Sequence, residues 1–198
     1  MPNWCNNQIK ISGHGVTAIK EILEANPSGR MFEVLVGKFA ENQTEKEYKD
    51  NWYDTNCNRW GCKWDVDIEL EGMSFEDDCI WMWIQTAWSP CNEFLRLLHK
   101  KYGVDVENNY NEGGCDFAGL FILTKDGADS DDCYGYLRGL YEFDYESFLF
   151  EARNQLEYMI EDEDLPTLED WLNEFEFVED KENLIELYDE VRGQMELR

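Results

Sequence analysis

A chain of 198 residues with 43% hydrophobic and 15% aromatic content is long enough to bury one generous core, and too rich in aromatics for a disordered acidic chain. Its 44 Asp and Glu against 17 Lys and Arg leave a net charge of −27, a field that repels phosphate backbones and favours basic partners. With no Lys/Arg cluster and no apolar run of about 18 residues, direct nucleic-acid binding by counterion release and a membrane-spanning helix are not expected.

The N-terminal MPNWCNNQIK lacks the basic and apolar regions of a signal peptide. Seven scattered cysteines, an odd number, suit reduced thiols in a host-cell cytoplasm better than a disulfide framework. The first predicted strand is NWCNNQIKISG, with Cys5, Asn7, Ile9 and Ile11 on one side and Trp4, Asn6, Gln8 and Lys10 on the other. Val16, Ile19, Ile22 and Leu23 then recur at helical spacing until NPSG stops them. The polar stretch from Ala40 to about Asn58 is long for a structureless loop and is expected to contain helical turns.

Residues 64–71 alternate strictly, Trp64, Val66, Ile68 and Leu70 against Asp65, Asp67, Glu69 and Glu71. They predict a strand joined through GMSFED to a second one, CIWMWIQTAW, as a hairpin. SPCNEFLRLLHKKYG predicts a helix with Ser89 as N-cap and Gly103 as its stop. VDVENNY and CDFAGLFIL are two further strands around NEGG. The order strand–helix–strand–strand–helix–strand is the ferredoxin-like α+β arrangement, an antiparallel sheet of two split βαβ units covered by helices on one face. That domain is placed at residues 1–136, and residues 137–198 at an acidic helical region packed on or beside it. The latter is read as two or three helices. Stripes of Phe148, Ala152, Leu156, Met159 and Ile160 and of Leu184, Tyr188, Val191 and Met195 mark their apolar faces, and TLED from Thr167 to Asp170 caps a start.

Three stretches, MPNWCNN with its following isoleucines and glycine, NRWGCKWD followed by TAWSP, and Tyr110 to Gly119 with the spacing Y-E-G--FAG, resemble the YubB-type ferredoxin-like domain of phages and plasmids. The resemblance covers roughly residues 1–125, with Cys91 standing where a second proline is expected. It implies a fold and a mobile-element origin. It implies no activity, so no catalytic residues are carried over.

The pair Cys57-x4-Cys62 is barely within the spacing of a zinc ligand pair, and neither CxxC nor HxxxH supplies a second. The cysteines are therefore expected to behave as small hydrophobes, with no metal and no cofactor. His14 reads as a turn residue that could face an anion, and His99 as a favourable charge near a helix end. Neither has a nucleophile or carboxylate at motif spacing, and no phosphate loop or nucleophile elbow is present, so no enzyme is expected.

Two surfaces remain. One is the uncovered sheet face, where Trp4, Asn6, Lys10, Asp67, Trp81 and Trp83 could form a ligand or nucleotide site unless the C-terminal helices cover it. The Trp52/Trp60/Trp64 region is a further ligand candidate. The other surface is the acidic tail, since residues 141–198 hold 20 acids and 4 bases. Glu161, Asp162, Glu163, Asp164, Glu169, Asp170, Glu174, Glu176, Glu179 and Asp180 are its candidate contacts. A helix rises about 1.5 Å per residue and B-DNA carries about one charge per 1.7 Å, so the density of carboxylates comes within a few-fold of nucleic acid. The leading expectation is an inhibitor or modulator that binds a basic, nucleic-acid-handling host protein by mimicry. The bland alternative is a set of solvated helix faces.

Overall fold

A computed structural model describes residues 3–161 and 166–195. The chain divides into two compact units, Met1–Tyr134 and Gly135–Arg198.

The first unit runs β1 (Trp4–Ser12), α1 (Val16–Ala25), α2 (Met31–Val36), α3 (Glu45–Trp60), β2 (Met73–Phe75), β3 (Cys79–Ala87), α4 (Asn92–Tyr102), β4 (Asp105–Glu112), β5 (Phe117–Leu123) and β6 (Asp129–Tyr134). The sheet order is β2-β3-β1-β4-β5-β6, antiparallel throughout. Its first four strands have the ferredoxin-like order, and two further hairpins extend it through β5 and β6. The fold is α+β.

Alternation in β1 sorts its faces as expected. Cys5, Asn7, Ile9 and Ile11 are buried, and Trp4, Asn6 and Gln8 are exposed. Ile9, Ile11, Ile80 and Met82 pack with Ile19 and Leu23 of α1 and Phe94, Leu95 and Leu98 of α4. The polar stretch after Ala40 forms α3, started by a capping box in which Thr44 and Glu47 satisfy each other's backbone N–H groups. It ends at Gly61, whose φ of +83° is left-handed and whose added Cβ would meet the Pro90 carbonyl at 2.8 Å.

Two local readings are corrected. Helix α4 starts at Asn92 rather than under Ser89, and Cys91 is its N-cap. The Ser89 hydroxyl is instead donated to the Gly61 carbonyl at 2.6 Å, tying the end of α3 to the start of α4. Residues 64–69 do not form a strand of the sheet. The Met31 N–H donates to the Val66 carbonyl at 2.8 Å and the Ile68 N–H to the Gly29 carbonyl at 3.1 Å, so this segment pairs with the chain before α2. The hairpin partner of β3 is the short β2, reached through a 3₁₀ turn at Leu70–Gly72. The alternation nevertheless reported the buried side. Ile68 is buried, and Val66 and Leu70 pack against the core.

The second unit contains four helices among its described residues, α5 (Tyr136–Phe143), α6 (Tyr145–Glu161), α7 (Leu168–Asn173) and α8 (Glu182–Met195), rather than two or three. Thr167 caps α7, its hydroxyl oxygen accepting from the Asp170 N–H at 3.1 Å. Phe148, Ala152 and Leu156 of α6, Trp171 of α7, Phe175, and Leu184, Tyr188 and Val191 of α8 are buried. The aromatic rings meet edge to face, Trp171 on Phe175 at 5.2 Å and Phe148 on Phe175 at 5.7 Å. Met159 is only partly buried, and the side chains of Ile160 and Met195 lie outside the described residues.

Candidate functional site

The departure of residues 64–69 from the sheet opens a cleft of about 540 Å³ against β3, within the roughly 300–1,000 Å³ common for binding sites. One wall is Trp64 to Asp67 and Glu69, and the other is Trp83 to Ala87, with Trp4, Arg30, Met31 and Met73 completing the lining. Trp4 and Trp64 stand 6.4 Å apart between ring centroids, and Trp83 is 61% exposed, the most open of these indoles.

The charges of the cleft are fixed by local structure. The Asp65 carboxylate accepts from the N–H groups of Phe32 and Glu33 at 2.8 Å each, satisfying the start of α2. Burial pushes its pKa up against those hydrogen bonds. Arg30 donates to Asp67 at 2.7 Å and to the Asp65 carbonyl. Both Arg30 contacts are thus within the cleft wall. Glu69 is exposed and makes no ion pair with a described residue, so the lining carries excess negative charge. The Trp64 ring already receives an ammonium, with Lys63 Nζ 4.4 Å from its centroid.

The strand edge is open as well. Trp88 N–H donates to the Asn3 carbonyl and Gly13 N–H to the Asp78 carbonyl, which sets the parity of the β1–β3 ladder: even-numbered β3 residues bond toward β1. Odd-numbered residues therefore turn their N–H and C=O outward. The β2 ladder stops at the Met73–Met82 pair, so the outward groups of Gln85 face the cleft rather than a strand.

Of the sheet-face candidates, Trp4 and Trp83 line this cleft, while Asn6, Lys10 and Trp81 remain on the sheet surface outside its lining. Gln85 donates to Asn6 Oδ1 at 2.9 Å and Asn6 to Asn111 Oδ1 at 3.1 Å, while Lys10 Nζ lies 4.9 Å over the Trp81 ring. Asp67, placed by alternation on the sheet face, belongs instead to the opposite wall, because its strand is not in the sheet. The Trp52/Trp60/Trp64 grouping does not form a site. Trp60 is buried 5.6 Å from Phe32, whereas Trp52 and Trp64 are partly exposed.

Glu169, Asp170, Glu174, Glu176, Glu179 and Asp180 are all exposed, and none is ion-paired to a described residue. Asp170 also accepts the Thr167 hydroxyl, and Asp180 accepts from the Glu182 N–H. Asp162, Glu163 and Asp164 lie outside the described residues, as does the side chain of Glu161.

Cys5, Cys62, Cys79 and Cys91 are buried, Cys57 is partly buried, and Cys115 and Cys133 are exposed. Cys62 is buried and donates to the Trp64 carbonyl at 3.3 Å, and burial pushes its pKa up to about 12. Burial likewise pushes Cys5 and Cys91 up, and the Glu112 carboxylate raises exposed Cys115. Among the described residues no group of three or more His, Cys, Asp or Glu could hold a metal ion. His14 is exposed in its turn, and the His99 ring Nδ1 bonds the Val104 carbonyl at 2.7 Å beyond the helix end.

A buried amide cluster escaped the sequence reading. Asn7 donates to Thr86 Oγ1 at 2.9 Å, and its Oδ1 accepts from the Cys91 N–H at 3.3 Å and Asn108 Nδ2 at 3.0 Å. Asn108 also donates to Asn92 Oδ1 at 2.9 Å, and Asn92 to Asp131 at 3.0 Å. The available signal was Asn7 itself, a polar residue on the inward side of an alternating strand. The Tyr110–Gly119 motif has a packing origin: the two are cross-strand partners, and a Cβ on Gly119 would meet the Tyr110 ring at 2.5 Å.

Strand order and helix placement make the first unit a ferredoxin-like α+β domain. Residues 60–153 match the family described as the ferredoxin-like domain in Api92-like protein. The match spans β2 to β6 and α5 and ends within α6; it supports a ferredoxin-like domain and not specifically the YubB type. No curated protein and no solved structure matches the chain. No helix among the described residues is long and apolar enough to cross a membrane.

Proposed function

We propose that the chain is a non-enzymatic protein of a mobile element. It binds a basic, nucleic-acid-handling host protein, a defence nuclease being the leading case, and inhibits or modulates it by presenting carboxylates where that protein expects phosphates. The observation that carries this reading is the run of exposed carboxylates at Glu169, Asp170, Glu174, Glu176, Glu179 and Asp180, none ion-paired to a described residue. The one cation within reach in sequence, Lys181, is spent on the Leu172 carbonyl at 2.7 Å and closes the end of α7. The mobile-element origin rests on the sequence resemblance of residues 1–125. The reading as a non-enzyme is supported by the burial of Cys62 and Cys91, which favours their protonated form, and by a His99 ring committed to a backbone carbonyl.

The test is capture of partners from a bacterial lysate on the immobilised chain, at low and at high salt, with and without added DNA. Screening shortens from about 10 Å at 0.1 M to about 3 Å at 1 M salt, so a mimic loses its partner steeply. The partner is expected to be basic and to be displaced by DNA. Replacing the six carboxylates together by Asn and Gln is expected to abolish capture. A partner held tightly at high salt and indifferent to DNA and to that replacement would sink the proposal.

A further inference from the structure

We infer that the cleft between residues 64–69 and β3 is a second binding site, one that takes an extended peptide segment carrying a lysine or arginine. The segment adds as a strand to β3 at Gln85 and sets its cationic side chain among Trp4, Trp64 and Trp83, against Glu69.

Each half of this inference has its own observation. The strand half comes from the ladder parity. The outward N–H and C=O of Gln85 have lost the neighbour that the alternating 64–71 segment would supply in a regular sheet, because that segment is held on residues 29–31 instead. An extended backbone satisfies such an edge as a strand does, and pockets for alternate side chains then supply specificity. The cationic half comes from the lining. Arg30 is engaged by Asp67 and the Asp65 carbonyl, Asp65 is engaged by α2, and Glu69 is open to solvent. An anionic or nucleotide ligand would meet uncompensated carboxylate; an ammonium or guanidinium meets indole faces and a carboxylate together. Lys63 over Trp64 shows that the chain itself makes this contact. A free amine would use only the second half, and an apolar peptide only the first.

The site uses none of residues 169–180, so it and the acidic-surface reading can fail separately. The test is a titration of the full ¹⁵N-labelled chain with the capped peptide Thr-Val-Thr-Lys-Thr-Val-Thr. Controls are the same peptide with Glu in place of Lys, the same peptide with N-methylated backbone amides, and butylammonium alone. The lysine peptide is expected to shift the cleft resonances and to slow hydrogen exchange at the Gln85 amide. N-methylation should weaken binding about tenfold through lost backbone hydrogen bonds. Trp83→Ala should weaken it about fivefold and Glu69→Gln about threefold, the scale of an exposed cation–π contact and a surface ion pair. Both side chains are exposed, so the unperturbed spectrum of each variant checks that it folds. Equal binding by butylammonium, equal binding by the Glu peptide, unaltered exchange at Gln85, or binding that survives both substitutions overturns the inference.

Discussion

The two units handle polarity in opposite ways. Residues 1–134 carry 24 acids and 12 bases, all seven cysteines, and every buried polar side chain among the described residues. Residues 135–198 carry 20 acids and 5 bases, yet their buried side chains are aromatic and aliphatic. In the first unit a hydrogen-bonded amide cluster inside the core joins β1, β3, β4 and the start of α4, and fixes one arrangement. In the second, aromatic and aliphatic side chains make the core together, and none of the described acids is buried.

The comparison is broken most directly at its aromatic half. Phe148 is fully buried among Tyr141, Phe175 and Phe177. Phe148→Ala is expected to cost the second unit about 3–5 kcal/mol, the usual price of emptying a buried phenyl site. Urea unfolding followed by NMR resonances from each unit reads this. If the first unit loses the same stability, the two do not fold separately and the contrast fails.

Alkaline pH should act on the other half. Burial raises Cys62 to about 12 from an ordinary 9.0, and raises Cys5 and Cys91 in the same direction. The folded state thus keeps protons that the unfolded state releases. The stability tied to these thiols is full below pH 9.0 and is lost as pH rises toward 12. The three thiols act in the same direction, so their losses accumulate across that window. The second unit, without cysteine, lacks this sensitivity. Urea midpoints at pH 8 and 10 separate the two, and a first unit no more alkali-sensitive than the second would contradict the burial of these thiols.

The amide cluster gives the next effect. Asn7→Ala leaves the Cys91 N–H and one of the two Asn108 Nδ2 hydrogens without an acceptor in the core, at about 2–4 kcal/mol for the orphaned donors. Asn6→Ala, one residue away on the exposed face, should change stability little. Equal losses for the two variants would mean that the cluster is not what fixes the core.

Much of this contrast could be read from the chain. Period-two alternation found β1 and β3 with their faces correct, and the Thr167 cap and the Phe148 stripe found the tail helices. Alternation failed at residues 64–71 for a physical reason. It reports which side of an extended segment is buried, not what its backbone pairs with. Asp65 and Asp67, read as solvent-facing, hold the start of α2 and Arg30, and those contacts pull the segment from the sheet. The cleft is a consequence of that long-range choice, so its tryptophans were visible in sequence while its opposite wall was not. Ser89 misled in the same way, since its hydroxyl serves Gly61 rather than its own helix.

The smallest expected effect asks whether the tail acids are kept at a cost. If Glu169, Glu174, Glu176 and Glu179 only solvate the second unit, replacing all four by Gln should leave its melting midpoint unchanged or lower. If they are held for a partner, they repel one another in the free protein, and removing them relieves that repulsion. A small rise in midpoint is then expected at about 10 mM salt, where the Debye length is about 30 Å, and none at about 1 M, where it is about 3 Å. Asp170 and Asp180 are left in place because Asp170 accepts the Thr167 hydroxyl and Asp180 the Glu182 N–H, through which a change in stability would have a second cause. Scanning calorimetry at the two salt concentrations measures the difference. A midpoint that falls at low salt would show the carboxylates stabilising their own unit, and would return the acidic run to an ordinary solvated surface.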